Sequence, residues 1–330
     1  MSTEILPATR PGSFRAGVAV VSLPGRGFLS VCGPDAAELL HGLLTNDVRA
    51  LRPGEGCHAA LLTPKGRMRA DLVVLRTAPD ELHLDCEPSL AAPLASILAG
   101  YVPFSRSTLV DRTAEQAVVH AEGPAAPALL ENAGLPVPVA PFAHAAAVAG
   151  GIALRVVRSS RAGAPGFDLL VRADDAEAAA ASLVSLGATP VAADDLERAR
   201  IEAGIPRWGA ELDETVLPNE AWLEKTAISY TKGCYLGQET VARLRTYGHV
   251  NRHLVALLLP PGCAVGAGAA VRAGEAVVGK VTSAAESERR GARIALAYVK
   301  REHETPGTWL DVETADGAAR GVVAAVPLED

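Results

Sequence analysis

Residues 232–239 read Lys-Gly-Cys-Tyr-Leu-Gly-Gln-Glu, and this octapeptide decides our prediction of the fold. Its two glycines permit positive φ and close backbone approach, and the polar pair at its end predicts a helix over residues 239–244. Cys234 therefore precedes a helix N-terminus, where the helix dipole and the Lys232 ammonium group favour a thiolate. We expect a functional thiol at Cys234, with a buried structural cysteine in a glycine-rich turn as the alternative.

Three other stretches carry closely spaced Gly, Pro and charged residues. Residues 33–48 contain Gly-Pro-Asp-Ala and later Leu-Thr-Asn-Asp-Val, residues 62–67 read Leu-Thr-Pro-Lys-Gly-Arg, and residues 200–206 read Arg-Ile-Glu-Ala-Gly-Ile-Pro, followed by Pro-Asn-Glu at 218–220. With the octapeptide, which fits the pattern K-G-C-[YF]-x-G-Q-E, these stretches resemble the YgfZ family. That family consists of folate-binding relatives of the glycine cleavage T-protein that support iron–sulfur enzymes.

The resemblance implies an α+β fold like that of the T-protein, with a C-terminal β-barrel and a central channel that holds tetrahydrofolate. A pterin presents adjacent N–H donors, so the carboxylate of Glu202 is the predicted acceptor, with an exposed helix carboxylate as the alternative. Tyr235 is predicted to pack on the folate rings, with a core aromatic residue as the alternative. The remaining predicted folate-binding residues are Asn46, Asp47, Arg67, Gln238 and Arg243. The two arginines are candidates for the glutamate tail or surface cations, and Asn46 and Asp47 line the channel or cap and turn the chain.

One position departs from the T-protein pattern. T-proteins carry a paired Asp-Asp in the strand after the Gly-Arg turn, whereas this chain has Ala70 and Asp71. Asp71 is either the equivalent of the catalytic carboxylate or an ordinary residue of the sheet. The single aspartate weakens the prediction of aminomethyltransferase activity, and the presence of Cys234 favours the YgfZ branch.

Hydrophobic periodicity predicts an α+β body followed by an all-β region. Residues 17–31 and 57–75 are expected to form hairpins around turns at 24–27 and 64–66, and helical patterns begin near Pro34, Pro88, Pro127, Asp174 and Asp194. Residues 136–150, rich in Pro and Ala, are predicted to be a loop or linker. Beyond Asn251 only short strands separated by turn residues are predicted, which is typical of a small barrel. We therefore expect a folate-binding body of two interleaved subdomains over residues 1–250 and a barrel domain over 251–330.

Composition and charge exclude several classes of protein. The 330 residues carry 31 Lys and Arg against 38 Asp and Glu, a net charge of −7, which argues against direct nucleic-acid binding. No segment approaches about 20 apolar residues, and residues 1–7 lack the pattern of a secretory signal, so we expect a cytoplasmic protein without membrane contact. The five cysteines are scattered, as in a reducing compartment, and neither a nucleotide-binding glycine motif nor a metal-binding pattern is found.

These observations support three functional hypotheses. The first is a tetrahydrofolate-binding protein that assists assembly or repair of iron–sulfur clusters in client enzymes, with Cys234 as its reactive thiol and Lys232 supporting the thiolate. Its partners would be folate and iron–sulfur client or scaffold proteins, with a link to tRNA modification only through such clients. The second is an aminomethyltransferase that moves a one-carbon unit from a lipoyl-bound aminomethyl group to tetrahydrofolate. The third candidate catalytic residue, Asp71, is the distinguishing feature of this second hypothesis. The third hypothesis is a folate-dependent adaptor without enzymatic activity.

Overall fold

The computed structural model describes residues 13–328, so residues 1–7, on which the expectation of no secretory signal rests, lie outside the described residues. The α-helices of this range are α1 Ser13–Ala16, α2 Ala36–Leu43, α3 Ala91–Ala99, α4 Ala126–Asn132, α5 Ala176–Ser185, α6 Ala193–Ala203 and α7 Gln238–Tyr247. Short 3-10 helices span Pro88–Leu90, Val102–Phe104, Ala173–Asp175, Pro218–Ala221, Leu223–Lys225 and Arg301–His303. None of the helices in residues 13–328 has the length and apolar character needed to span a bilayer.

The strands alternate with these helices up to residue 190 and then follow one another without α-helices from residue 252. They are β1 Ala19–Leu23, β2 Gly27–Cys32, β3 Gly56–Leu62, β4 Met68–Ala78, β5 Glu81–Cys86, β6 Thr108–Asp111, β7 Gln116–Glu122, β8 His144–Ala149, β9 Ile152–Arg158, β10 Gly166–Arg172, β11 Thr189–Pro190, β12 Arg252–Leu259, β13 Ala270–Ala273, β14 Ala276–Ser287, β15 Ala292–Lys300, β16 Trp309–Thr314 and β17 Gly317–Ala324.

A five-stranded sheet in the order β3-β4-β5-β2-β6 contains the predicted hairpin at residues 57–75. β3 and β4 pair antiparallel with Ala60 opposite Asp71, and the turn between them contains Gly66 at φ +78°. A left-handed φ of this kind favours glycine. Leucines of α2 and α3 pack on the sheet to form one buried core, as the spacing of the leucines in the predicted helices requires. The hairpin prediction is confirmed.

The prediction of a hairpin over residues 17–31 is wrong. β1 lies between β7 and β11 in a six-stranded sheet, whereas β2 lies between β5 and β6 in the five-stranded sheet. Both strands are largely buried, so each takes partners along both edges instead of pairing with its neighbour in sequence. The turn between them buries Arg26, which lies 2.7 Å from Asp85 of β5. The chain therefore crosses from one sheet to the other at this turn.

The prediction of a loop over residues 136–150 is wrong for its second half. β8 occupies residues 144–149 and pairs with β9 at the edge of the six-stranded sheet, whose order is β11-β1-β7-β10-β9-β8. Four of its six residues are alanine, which has low strand propensity and leaves no alternation to detect. Gly150 and Gly151 form the connecting turn at φ +57° and +82°, the positive values that a tight hairpin turn requires.

The C-terminal strands close into a six-stranded barrel in the order β12-β15-β14-β13-β16-β17. A buried apolar cluster joins this barrel to the body; its members include Leu62, Met68, Ile201, Leu254 and Ile294. The Tyr298 hydroxyl donates a hydrogen bond to the Glu211 carbonyl oxygen at 3.1 Å across the same junction. The predicted α+β class with a C-terminal β-barrel is confirmed.

Candidate functional site

The octapeptide at 232–239 and the turn at 63–67 contact each other directly. Gly237 adopts φ +82°, and a Cβ atom there would lie 2.4 Å from the Thr63 carbonyl oxygen. Gly66 adopts φ +78°, and a Cβ atom there would lie 2.6 Å from Cβ of Thr240 in α7. Gly237 is therefore required by the close approach of the Thr63 backbone, and Gly66 by its left-handed φ and by the close approach of the Thr240 side chain. Two motifs that are far apart in sequence thus form one surface.

Cys234 is exposed and lies three residues before Gly237, the residue that caps the N-terminus of α7. The side-chain oxygen of Gln238 accepts a hydrogen bond from the Tyr235 N–H at 3.2 Å, which holds the octapeptide against the first turn of the helix. Gln238, predicted to bind folate, thus makes a contact within its own loop. Tyr235 is half-buried and packs against the apolar cluster at the junction of body and barrel.

The Lys232 ammonium group is directed at the C-terminal end of α2. It donates hydrogen bonds to the carbonyl oxygens of His41, Leu44 and Asn46 at 2.5, 2.6 and 3.0 Å. Carbonyl groups at a helix C-terminus carry partial negative charge, so they are suitable partners for a cation. Burial lowers the pKa of Lys232 to about 8. Lys232 thus fastens the octapeptide to α2, a role that we did not predict, and its support of the Cys234 thiol stays a prediction.

Asn46 and Asp47 order the segment after α2. The Asn46 amide donates hydrogen bonds to the carbonyl oxygens of His58 at 2.8 Å and Thr226 at 3.3 Å. An Asp47 carboxylate oxygen accepts the Ala50 N–H at 3.2 Å and lies 3.2 Å from Nδ1 of His41. These contacts turn the chain and join it to β3 and to the segment before the octapeptide. That the two residues also line a folate channel stays a prediction.

Asp71 lies on the same surface and is paired with a residue that we did not predict. Its Oδ1 atom is 2.6 Å from Nε2 of His58, and Nδ1 of His58 is 3.2 Å from the Thr226 hydroxyl oxygen. The two paired side chains keep 22% and 16% exposure, so both reach solvent. Within residues 13–328, Oδ2 of Asp71 has no hydrogen bond. The carboxylate therefore has one fixed oxygen and one open oxygen.

The register of the predicted hairpin could have identified His58. Ala60 lies opposite Asp71, and residues two apart on a strand share a face, so His58 is diagonal to Asp71 on that face. The signal was overlooked because His58 belongs to none of the motifs and is one of eight histidines.

The other predicted folate ligands, Arg67, Arg243 and Glu202, lie on three different elements. Arg67 is exposed on the 63–67 turn and donates a hydrogen bond to the Thr215 carbonyl oxygen, and Arg243 is exposed on α7. Glu202 is half-buried on α6, and no hydrogen bond or ion pair joins it to the other predicted residues in the described part of the chain. Its neighbour Ile201 belongs to the same apolar cluster as Tyr235. The structure links Asn46, Asp47, Asp71, Lys232, Tyr235 and Gln238 through the contacts described above, whereas Glu202 is connected to them only through the apolar cluster that Ile201 shares with Tyr235.

Two residues of the 200–206 motif are structural. The Arg200 guanidinium is buried and lies 2.6 Å from Glu197 and 2.8 Å from Glu211. Gly204 ends α6 at φ +70°, where a Cβ atom would lie 2.8 Å from Cγ1 of Val326. The motif therefore fixes α6 against the barrel, which places Glu202 beside the apolar cluster.

Two surface clefts of about 560 and 640 Å³ lie elsewhere, where the β6–β7 connection meets residues 173–176 and β9. Neither is lined by a predicted site residue. Residues 13–328 contain no group of three or more His, Cys, Asp and Glu side chains arranged to hold a metal ion.

Two family models match the chain. The GCVT N-terminal domain matches residues 12–232, and the glycine cleavage T-protein C-terminal barrel domain matches residues 252–330. The first model alone covers more than half of the chain. The two matched ranges include Lys232, which is the first residue of the octapeptide, the His58–Asp71 pair and the barrel.

Relatives and solved structures agree with these matches. The chain is 28% identical over 312 residues to the aminomethyltransferase of Streptomyces coelicolor, with 89% of this chain and 81% of that protein covered. It is 28% identical over 328 residues to the aminomethyltransferase of Saccharopolyspora erythraea, with 97% and 89% covered. The crystal structure of the glycine cleavage system aminomethyltransferase T from Bartonella henselae aligns over 96% of this chain and 88% of that chain, with a TM-score of 0.86 and 23% identity. The predicted T-protein-like fold is confirmed.

Proposed function

The chain belongs to the glycine cleavage T-protein family, and we propose that it binds tetrahydrofolate and catalyses transfer of a one-carbon unit to it. The observation that carries this proposal is Asp71, a partly exposed carboxylate with one oxygen fixed by His58 and the other open. The names of the relatives support the same class of reaction. They favour the aminomethyltransferase hypothesis over the iron–sulfur hypothesis that the octapeptide suggests.

The residues on this surface suit the chemistry of a reduced folate. A pterin donates N–H groups, for which Glu202 provides a carboxylate acceptor. The ring of Tyr235 provides an apolar face, and Arg67 and Arg243 provide exposed cations for the carboxylates of the glutamate tail. When bound, tetrahydrofolate supplies the ring nitrogen atoms that take up the one-carbon unit. We assign its binding to the body, residues 1–250, with the barrel at 251–330 closing one side.

Asp71 is the group of this chain that handles a proton in the reaction. Its open Oδ2 atom accepts or returns a proton as the bonding of the folate nitrogen changes, which is the usual role of a positioned carboxylate. Lys232 and Asn46 keep the neighbouring backbone in place through their hydrogen bonds to the carbonyl oxygens of α2, β3 and the segment before the octapeptide. The chain thereby supplies a fixed acceptor and an ordered loop around it.

Folate binding can be measured by tryptophan fluorescence, because Trp208 and Trp222 pack against the apolar cluster that Tyr235 also contacts. Titration with 5-formyltetrahydrofolate is expected to give a saturable signal. Glu202→Ala is expected to weaken binding by about 10- to 100-fold, because a hydrogen bond to a charged group is lost. The matched control is Glu177→Ala, which removes an exposed carboxylate from helix α5. Absence of saturable binding by the unmodified protein would refute the proposal.

A second candidate function rests on the exposure of Cys234 in an octapeptide of the YgfZ type. In this candidate the protein supports assembly or repair of iron–sulfur clusters in client enzymes, and the Cys234 thiol acts as a transient ligand. In the adaptor hypothesis the protein also binds folate and the same iron–sulfur client proteins, but it needs no reactive thiol. Transfer of a one-carbon unit to folate requires no thiol, so the first candidate gives no reason for an exposed cysteine in the octapeptide.

Cys234→Ala separates the candidates. In a strain that lacks this protein and has defective iron–sulfur enzymes, the thiol mechanism predicts that wild type restores those enzymes and that Cys234→Ala does not. Cys263→Ala serves as the matched control. The Cys234→Ala protein should bind folate as wild type does. It should also release ammonia and methylene-tetrahydrofolate from an aminomethylated lipoyl carrier at the wild-type rate. Full rescue by Cys234→Ala supports the adaptor, and failure of the wild type to rescue removes both iron–sulfur hypotheses.

A further inference from the structure

His58 connects the Asp71 carboxylate to the segment before the octapeptide, through Thr226. It lies on β3, with Nε2 at 2.6 Å from Oδ1 of Asp71 on β4 and Nδ1 at 3.2 Å from the hydroxyl oxygen of Thr226. The backbone carbonyl of Thr226 accepts a hydrogen bond from Asn46, which also bonds the backbone carbonyl of His58. A histidine whose two ring nitrogens are both engaged has a fixed orientation. The imidazole ring therefore cannot rotate without breaking a contact at one side.

The surroundings of His58 favour its protonated form. Burial opposes a positive charge, but the Asp71 carboxylate outweighs it and raises the pKa of His58 above its usual value. The other neighbours that contact the ring are uncharged: Thr226, and Phe142 with its ring centroid at 6.3 Å. As an imidazolium, His58 donates both of its N–H groups, one to Asp71 and one to Thr226. Asp71 is thus the only charged group that acts strongly on His58 in the described residues.

We propose that His58 is a positioning residue that holds Asp71 by one oxygen and keeps the other oxygen turned toward the folate. This inference rests on the proposed function, because the open oxygen matters only if a ligand reaches it. A carboxylate with one oxygen bonded to a fixed imidazolium loses its freedom of rotation, and a catalytic group gains from being held in its working geometry. His58 itself stays behind Asp71 and does not contact the reacting atoms.

A purely structural role for His58 makes a different prediction. If the His58–Asp71 pair only stabilised the hairpin, its loss would reduce stability without changing how activity depends on pH. A positioning role requires the ion pair to exist during the reaction. Because the pKa of His58 is raised, the pair is complete below the usual histidine value near 6.5 and is lost as pH rises through the raised value. Transfer activity should then fall on the alkaline side with the titration of His58.

The first experiment measures the pair directly and needs no folate. In the full-length protein labelled with 15N-histidine, the ring nitrogens of His58 are expected to titrate at a pH above 6.5, the usual histidine value. In Asp71→Asn the same resonances should titrate at least one pH unit lower, which is about tenfold in the proton affinity of the ring. The resonances of the exposed His249 serve as the control and should be the same in the two proteins at each pH. Titration of His58 at the same pH in both proteins would overturn the inference.

The second experiment compares folate affinity and transfer across pH for wild type, His58→Gln, His58→Phe and the control His249→Gln. Gln retains a donor for Asp71 but cannot titrate, so His58→Gln should keep part of the rate and lose the alkaline fall. His58→Phe should lower the rate by about tenfold or more, the value of one hydrogen bond to a charged group. If wild type binds and transfers but both variants match its pH profile, this inference alone is wrong. If wild type binds no folate, the proposed function fails and this inference fails with it.

Discussion

Glu122→Gln is expected to lower the free energy of unfolding of the body by about 3–5 kcal/mol, the cost of removing one partner from a buried ion pair. Glu122 is fully buried, and its Oε2 atom lies 2.8 Å from Nε2 of His120, which is also fully buried. Its two oxygens accept further hydrogen bonds from one loop: the Ser160 hydroxyl and the N–H groups of Arg161, Ala162 and Ala164. Glutamine has one acceptor oxygen where glutamate has two, so several of these donors lose their partner.

The effect is large because Glu122 begins a chain of buried charges. Nδ1 of His120 lies 2.7 Å from Asp168, and the Arg161 guanidinium lies 2.8 Å from Asp168 and 3.4 Å from Asp85. Asp85 belongs to the five-stranded sheet, whereas Asp168 and His120 belong to the six-stranded sheet. The charges therefore link the two sheets of the body. A buried charge without its partner is costly. Loss of the Glu122 charge therefore also weakens the stabilisation of the neighbouring His120 and, through it, of Asp168.

The pH dependence of stability provides the internal check. The pKa of Glu122 and that of Asp168 are lowered by the positive charges beside them, so their contribution is present above the usual carboxylate value and is lost as pH falls through the lowered values. The pKa of His120 is raised by its two carboxylates. Its contribution is present below about 6.5 and is lost as pH rises through the raised value. In Glu122→Gln the alkaline loss should begin at lower pH.

Urea unfolding from pH 4 to pH 9, followed by circular dichroism, measures the decrease in the free energy of unfolding and the pH at which the alkaline loss begins. The matched control is Glu131→Gln, the same chemical change at an exposed position of α4, for which a change below about 0.5 kcal/mol is expected. If the free energy of unfolding of Glu122→Gln also differed from that of wild type by less than about 0.5 kcal/mol, the prediction would be contradicted, because the buried charges would then contribute little to stability.

The sequence predicts those parts of the fold that depend on neighbouring residues. The β3–β4 hairpin follows from the turn chemistry of residues 64–66, and the barrel follows from short strands separated by turns. The assignment of β1 and β2 to different sheets could not be predicted, because their partners are chosen by packing across the body. The chain of buried charges was missed for the same reason, since His120 and Asp168 are 48 residues apart.

In the candidate site, too, features set by residues close in sequence could be predicted, and contacts between distant segments could not. The motifs identified the octapeptide and the turn, and the structure brings them together through Gly237 and Gly66. Spacing in the octapeptide predicts that Lys232 supports Cys234, but it does not reveal that the ammonium group also bonds the carbonyl oxygens at the end of α2. The direction of a long side chain depends on which partner the fold brings within reach, and α2 is almost 190 residues away in sequence. His58 was within reach of prediction, because hairpin register alone places it beside Asp71.

Asp71→Asn is expected to reduce one-carbon transfer by about 100- to 10,000-fold, the usual contribution of a general acid or base. Asparagine has nearly the same shape, but its amide cannot take up a proton at the position of Oδ2. The fold should be preserved, because the side chain is 22% exposed and only its contact with His58 changes. Release of ammonia and methylene-tetrahydrofolate from an aminomethylated lipoyl carrier measures the rate, and tryptophan fluorescence measures folate affinity separately.

Asp80→Asn is the matched control, because it makes the same change at an exposed position beyond the far end of β4. A loss of rate in Asp71→Asn with folate affinity reduced by less than about tenfold assigns the carboxylate to the chemical step, since a ligand that only binds would lose affinity and rate together. Turnover by Asp71→Asn within about twofold of wild type would exclude proton transfer at this residue. The surviving aspartate would then be an ordinary residue of the sheet, and the exposed thiol of Cys234 would become the reactive group on which the function depends.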